Sequence, residues 1–323
     1  MEGKRLLEVR GLKKYFNTPK GLLHAVDDVY FSIDEGKTLG VVGESGCGKT
    51  TTGRVILRLQ EPTAGEVIFE GENILNYKKD EMRLLRQKMQ IIFQDPFASL
   101  NPRMTISETI AEPLIIHKKC ASRQELNNKV RNLMDLVGLA ERLVNTYPHE
   151  LDGGRRQRIG IARALALGPK FIVCDEPVSA LDVSIQAQVL NLMQDLQDRL
   201  GLTYMFITHD LSVVKHFSDD IAVMYLGQLV EKAPSNQLFR KPIHPYTKAL
   251  LSAIPAPSAR KKMERIKLEG EITSPINPGV GCRFAKRCIY ADDRCFRTNQ
   301  TLQESEANHF YACCKAEELG FTK

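Results

Sequence analysis

Residues 43–50 read Gly-Glu-Ser-Gly-Cys-Gly-Lys-Thr, and this octet restricts what the chain can fold into more than any other stretch. It fits G-x-x-x-x-G-K-[ST], a pattern with physical meaning only between a buried strand and a helix. Both flanks are present. Thr38-Leu-Gly-Val-Val42 reads as a short buried strand, and the residues from Thr51 to Leu59 read as a helix. Glycines at 43, 46 and 48 permit positive φ, so successive amide N–H groups can converge on phosphate oxygens at the positive end of the helix dipole. Lys49 would reach the β- and γ-phosphates and the Thr50 hydroxyl would sit on Mg²⁺, with Glu44, Ser45, Cys47 and Thr51 completing the cradle. A glycine-rich turn without a ligand is the competing reading, and the correct flanks count against it.

The rest of the chain supplies a matching framework. Leu6–Arg10 and Val26–Ile33 alternate like strands, and Glu66–Glu70 and Met89–Phe93 follow the first helix as further strands. Tyr15 and Phe16 lie between the first two, where an aromatic face could stack on a base or simply join the core. From Thr105 to about Leu143 the apolar spacing turns helical, which suggests an inserted helical subdomain. Two buried apolar runs, Phe171–Cys174 and Thr203–Ile207, end in the polar pairs Asp175-Glu176 and Thr208-His209. Strands covered on both faces look like this, and in α/β domains the ligand sits at their carboxyl ends. Asp175 then has the placement of a Mg²⁺-holding aspartate and Glu176 that of a general base. His209 would orient the attacking water, and Gln94, at the end of its own strand, offers an amide to Mg²⁺ and water.

Composition narrows the class. With 26% charged and 43% hydrophobic residues the chain is an ordinary globular protein, and its net charge of +6 does not point to nucleic acid. No apolar run approaches the roughly 18 residues needed to cross a bilayer, and Met1-Glu-Gly-Lys-Arg5 runs straight into a strand pattern, so a cytoplasmic protein is expected. The proline-rich stretch Ile254–Ser258 followed by Arg260-Lys-Lys262 marks a boundary. The expected division is a nucleotide-binding domain over 1–258, with its helical subdomain at about 95–160, and a cysteine-rich extension over 259–323.

Taken in order, the octet, Gln94, Leu151-Asp-Gly-Gly-Arg-Arg-Gln-Arg158, Phe171–Glu176, Ser179-Ala-Leu-Asp182 and His209 resemble the motif series of an ABC ATPase. More narrowly, Gln94–Arg103, Glu176–Gln186 and His244–Pro255 are similar to the ATP-binding subunits of dipeptide/oligopeptide importers, the octet to the second of the two such subunits. The likeness spans nearly the whole chain. It implies an α/β P-loop fold with an antiparallel β subdomain, an inserted helical subdomain and a small cysteine-rich tail. It also implies ATP and Mg²⁺ as ligands, and a sandwich dimer in which Asp152, Gly153, Gly154 and Asp182 face the partner's nucleotide. Phe16, with Tyr15 as substitute, takes the adenine-stacking place. Implied partners are a homologous ATPase subunit, two membrane permease subunits and, indirectly, an extracytoplasmic binding protein, on the cytoplasmic face of the membrane and without nucleic acid. Nickel or oligosaccharide import is the alternative cargo. A soluble ABC ATPase acting on DNA or ribosomes would need a coiled-coil insertion or a second cassette, and neither is present. A regulatory module without turnover has only Asp152 in its favour.

Two features depart from the simple picture. The family's signature is Leu-Ser-Gly-Gly-Gln, whereas Asp152 and Arg155 stand here for its serine and glutamine. A carboxylate facing a triphosphate is repelled, so an asymmetric heterodimer is expected, with this chain's own P-loop site competent and the opposite site blunted. The second feature is the crowding of Cys282, Cys288, Cys295, Cys313 and Cys314 near the end of the chain. Their spacing lacks the short pairs of zinc ribbons and leaves zinc, an iron–sulfur cluster and free thiols open. Resemblance to the tails of some importer ATPases implies a [4Fe–4S] cluster on Cys282, Cys288, Cys295 and Cys313. Pro96, Phe97 and Leu100 are candidates either for contact with a membrane subunit or for the core of the insert.

Overall fold

The computed structural model describes residues 4–254, 266–268, 270 and 274–322. The expected boundary at 254–262 lies, from residue 255 onward, outside the described residues. Two compact units are present, one comprising residues 1–34, 38–75 and 208–323 and the other residues 35–37 and 76–207.

The first unit opens with a long antiparallel hairpin, β1 (Arg5–Thr18) and β2 (Gly21–Asp34). Tyr15 and Phe16 therefore lie inside a strand and not between two. Register shifts between Val9 and Leu12 and again up to Tyr15 break the apolar alternation, which is why the sequence reads as two shorter strands. After β3 (Thr38–Val42) and α1 (Lys49–Ile56), β4 (Ala64–Phe69) and β5 (Glu72–Asn73) complete an antiparallel sheet of order β2-β1-β4-β5.

The second unit carries α2 (Lys79–Lys88), β6 (Met89–Ile92), α3 (Ile106–Ile116), α4 (Arg123–Leu136), α5 (Gly153–Leu165), β7 (Phe171–Asp175), α6 (Val183–Leu200) and β8 (Thr203–Ile207). Strands β6, β7 and β8 pair in parallel, and every residue of β7 and β8 is buried, as the two unbroken apolar runs require. The helices begin where side chains can cap them. Thr105 accepts from the Glu108 amide at α3, and Ser122 accepts from the Glu125 amide at α4.

The chain then returns to the first unit through α7 (Leu211–Phe217), β9 (Asp220–Tyr225), β10 (Gln228–Pro234), α8 (Ser235–Arg240), α9 (Pro245–Ser252), α10 (Asp293–Arg297), β11 (Gln303–Glu306) and β12 (His309–Tyr311). β3 pairs in parallel with β9, β9 with β10 antiparallel, and the tail strands β12 and β11 extend the edge of β10. A fully buried Glu231 on β10 makes that extension specific. Its carboxylate accepts the amides of Ile243 (2.7 Å) and His244 (2.8 Å) and the Nε2 of His309 on β12 (2.8 Å). A buried carboxylate without those three donors would be strongly destabilising, so the tail's pairing and the start of α9 are set together. Among the described residues no helix is long and apolar enough to cross a membrane.

Candidate nucleotide-binding site

The octet forms the turn between β3 and α1 that its sequence calls for. Gly43, Gly46 and Gly48 have φ of 153°, 77° and 104°. At two of them space, as well as φ, demands glycine: a Cβ on Gly43 would stand 2.2 Å from the Met224 carbonyl oxygen, and one on Gly48 2.1 Å from that of Ala25. No side chain caps α1, whose first turn carries amides that lack partners within the helix. Lys49 is buried, and its Nζ donates to the carbonyls of Gly43 (2.8 Å) and Glu44 (3.0 Å). Glu44 is itself fixed, since its amide donates to the Tyr246 hydroxyl on α9 at 3.0 Å. A converging set of amides with one ammonium at its centre fits a phosphate chain. Thr50 and Thr51 are half-buried at the start of α1, and Ser45 is exposed at the tip of the loop.

On the β1–β2 hairpin, the Tyr15 ring stacks on His24 with centroids 3.9 Å apart, and its hydroxyl donates to Asp27. Burial alone would raise the Asp27 carboxyl; hydrogen bonds from Tyr15 and His24 and the Arg283 charge outweigh it and hold the group below its ordinary value. Phe16, the next residue along β1, has the Lys14 ammonium 4.8 Å from its ring centroid.

In the second unit Asp175 is the buried last residue of β7, and Glu176 follows it at φ 46°, a region that costs a non-glycine residue energy. The Glu176 amide donates to the Ile207 carbonyl at 2.9 Å, which helps hold that conformation, and its carboxylate accepts from Gln94 Nε2 at 3.1 Å. Two residues 82 apart in sequence are thus brought into contact. His209 is exposed just beyond β8, ahead of Asp210, whose carboxylate caps α7 by accepting from the Ser212 amide at 2.7 Å. Asp182 is exposed before α6 and makes no side-chain cap.

Asp152 explains how the altered signature still folds. It caps α5, accepting from the Arg155 amide at 2.8 Å, and Arg155 Nε lies 3.5 Å from the same carboxylate. Aspartate and serine are about equal as N-caps, so the substitution leaves the helix start intact and changes the charge presented. Gly154 is packed so that a Cβ would meet the Ile185 side chain at 2.6 Å. Of Pro96, Phe97 and Leu100, only Phe97 reaches the surface, at 62% exposure, with the Arg156 guanidinium 3.4 Å over its ring; Pro96 and Leu100 are buried.

The tail thiols converge. Cys282, Cys288, Cys295, Cys313 and Cys314 all line one small cavity, together with His244 and Phe284. The Sγ atoms of Cys295 and Cys314 are 3.9 Å apart, and burial pushes the Cys282 thiol up to about 12. Among the described residues, no three His, Cys, Asp or Glu side chains are placed to hold a single metal ion.

Sequence reasoning passed over Arg283, Arg287 and Tyr246. Each acts on the octet or its surroundings across more than 200 residues, and no local pattern advertises that.

Residues 26–179 match the ABC transporter family, and residues 230–295 match the C-terminal region of oligopeptide/dipeptide transporters. The chain is 51% identical over 318 residues to the dipeptide transport ATP-binding protein DppF of Haemophilus influenzae, with 97% of each chain covered. It belongs to the ATP-binding subunits of the dipeptide/oligopeptide ABC transporters. The oligopeptide transport ATP-binding protein AppF of Bacillus subtilis is also 51% identical over 318 residues, covering 95% of this chain and 96% of its own. Among solved structures, a dimeric post-hydrolysis state of the ATP-binding cassette MJ0796 bound to ADP and Pi is 30% identical. It has a TM-score of 0.66 and covers 71% of this chain and 99% of that one. This importer subunit is accordingly an ABC ATPase that couples ATP hydrolysis to peptide transport.

Proposed function

We propose that the subunit holds the triphosphate of ATP on the amides of residues 43–51 around Lys49, and hydrolyses it when a second, homologous cassette covers the site. Thr50, Gln94 and Asp175 would hold Mg²⁺, which would supply charge neutralisation on the triphosphate. Glu176 takes the proton of the attacking water, and Gln94 and His209 orient that water. Phe16 or Tyr15 carries the adenine. The observation that carries the reading is the loop itself: three glycines at positive φ, two of them sterically obligatory, around a buried lysine ammonium.

The partner cassette is a different chain. Asp152 would turn a carboxylate toward the partner's γ-phosphate, and Arg155, 3.5 Å from it, offsets that charge only in part. Two membrane permease subunits form the translocation path on whose cytoplasmic side the pair docks, and a separate binding protein delivers cargo. Phe97 is an exposed apolar residue near Gln94 that suits such a docking surface. The cavity cysteines, Cys282, Cys288, Cys295 and Cys313 with Cys314 as the neighbouring alternative, would hold a [4Fe–4S] cluster whose contribution is a structural cross-link. Di- or oligopeptides are the cargo class. ATP-dependent uptake of labelled di- and tripeptides into vesicles carrying the assembled complex tests this; uptake of nickel or an oligosaccharide in place of peptides would reassign the cargo.

A further inference from the structure

Two arginines of the tail, each next to a cavity cysteine in sequence, reach into the nucleotide-binding loop. Arg287, which precedes Cys288, is buried and makes a two-pronged ion pair with Glu44 inside the octet, at 2.7 and 3.0 Å. Glu44 in turn presents its carbonyl to Lys49 Nζ at 3.0 Å. Arg287 therefore fixes the residue that fixes the ammonium. Arg283, which follows Cys282, is equally buried and donates to the Asp27 carboxylate and the Leu226 carbonyl. Asp27 takes the Tyr15 hydroxyl, and its amide donates to the Gly227 carbonyl at 2.8 Å, while the Gly227 amide donates to the Cys47 carbonyl at 2.8 Å. One arginine thus serves the phosphate end of the site and the other serves the base end.

The segment between them is short and stiff. The Cys282 amide donates to the Cys295 carbonyl at 2.7 Å, and the 3-10 turn Ala285–Arg287 is closed by the Arg287 amide on the Phe284 carbonyl at 2.9 Å. The buried Phe284 ring packs edge-on against Tyr225 and tilted against Tyr246, each at 5.3 Å between centroids. Tyr246 is the same residue that receives the Glu44 amide. With one cysteine at each end of this segment, a group held by the thiols would also constrain where both guanidinium groups point.

We propose that Arg283 and Arg287 are positioning residues of the ATP site, and that the thiol cavity controls them: the ordered Cys282–Cys288 segment keeps the P-loop in its phosphate-accepting form, and releasing the thiols weakens ATP binding. A structural clip alone would contribute to folding and leave nucleotide affinity untouched. The inference rests on the P-loop reading above and not on the identity of the group the cysteines hold.

Equilibrium binding of Mg-ATP and Mg-ADP to the purified full chain, alongside melting curves and iron content, provides the test. Arg287→Ala is expected to weaken ATP about tenfold and ADP less, because the lysine it positions serves the β- and γ-phosphates. Arg287→Lys, which keeps the charge and loses the fork, is expected to fall between. The pair Cys282→Ser/Cys288→Ser is expected to reproduce the Arg287→Ala loss and add little to it in the triple variant. Unchanged ATP affinity, within about twofold, in both Arg287 variants overturns the positioning role. A cysteine pair that binds ATP like the wild type, or whose effect adds fully to Arg287→Ala, overturns control by the thiols. Should Arg287→Ala fail to fold, Arg287→Lys and Glu44→Gln carry the same comparison. A wild-type chain that binds no ATP would instead sink the P-loop reading.

Discussion

The P-loop and the cysteine cavity are both cradles in the same unit, yet they are written into the chain in opposite ways. In the P-loop the donors are largely backbone amides of consecutive residues, and the glycines matter for the side chains they lack. In the tail the donors are thiols, brought onto one cavity from residues 282 to 314 by a 3-10 turn, α10 and the pairing of β12 with β10. A backbone cradle is broken by adding a methyl group. A side-chain cradle would be broken by replacing one donor, and the consequences would spread along whatever a bound group cross-links.

The sharpest separation of holding from cutting is at Glu176. Glu176→Gln is expected to lower turnover by about two to four orders of magnitude while ATP binding persists, measured as steady-state hydrolysis against equilibrium affinity. Persistence of full turnover would remove the general base from the scheme. Next in size is Gly48→Ala, where the new Cβ meets the Ala25 carbonyl and the φ of 104° is strained as well. ATP affinity should fall by roughly a hundredfold, from strain and clash of about 3 kcal/mol. Gly46→Ala is the control: it has the positive φ but open space, and should cost less.

The tail side of the comparison is tested by replacing Cys282, Cys288, Cys295 and Cys313 with serine. Anaerobically purified wild type is expected to be brown, with four irons per chain, and the variant colourless, with a melting temperature lower by several degrees, about 1–3 kcal/mol. Zinc in place of iron would change the ligand and leave the cross-link. The smallest effect is expected at Asp152→Ser, which keeps the helix cap and removes the charge. Turnover of the assembled transporter complex should rise about two- to fivefold, the equivalent of about 1 kcal/mol for one partly screened charge. Unaltered turnover would end the asymmetry proposal.

Legibility followed the same division. The P-loop, the buried strands ending at Asp175 and Ile207, and the helical stretch that starts after Thr105 could be read directly, because strand burial, helical periodicity and glycine spacing are local properties. The hairpin of β1 and β2 was read too short, since its bulges disrupt the period that identifies strands. Pro96 and Leu100 looked as available for contact as Phe97, and only packing separates them. Gln94 and Glu176 end separate strands and each has its own role in the sequence reading; their contact appears only in the fold.

By itself, the sequence determined which residues can bind phosphate, which carboxylates end buried strands, and which ATPase subunits the chain resembles. These are matters of backbone freedom and short-range periodicity, complete within about ten residues. The tertiary structure alone decided that the five tail thiols share a cavity and that Arg287 grips Glu44. It also decided that Glu231 locks the tail strand to the sheet. Those outcomes depend on buried charges finding partners across 78 to 243 residues, and such pairings become visible only when the chain is packed.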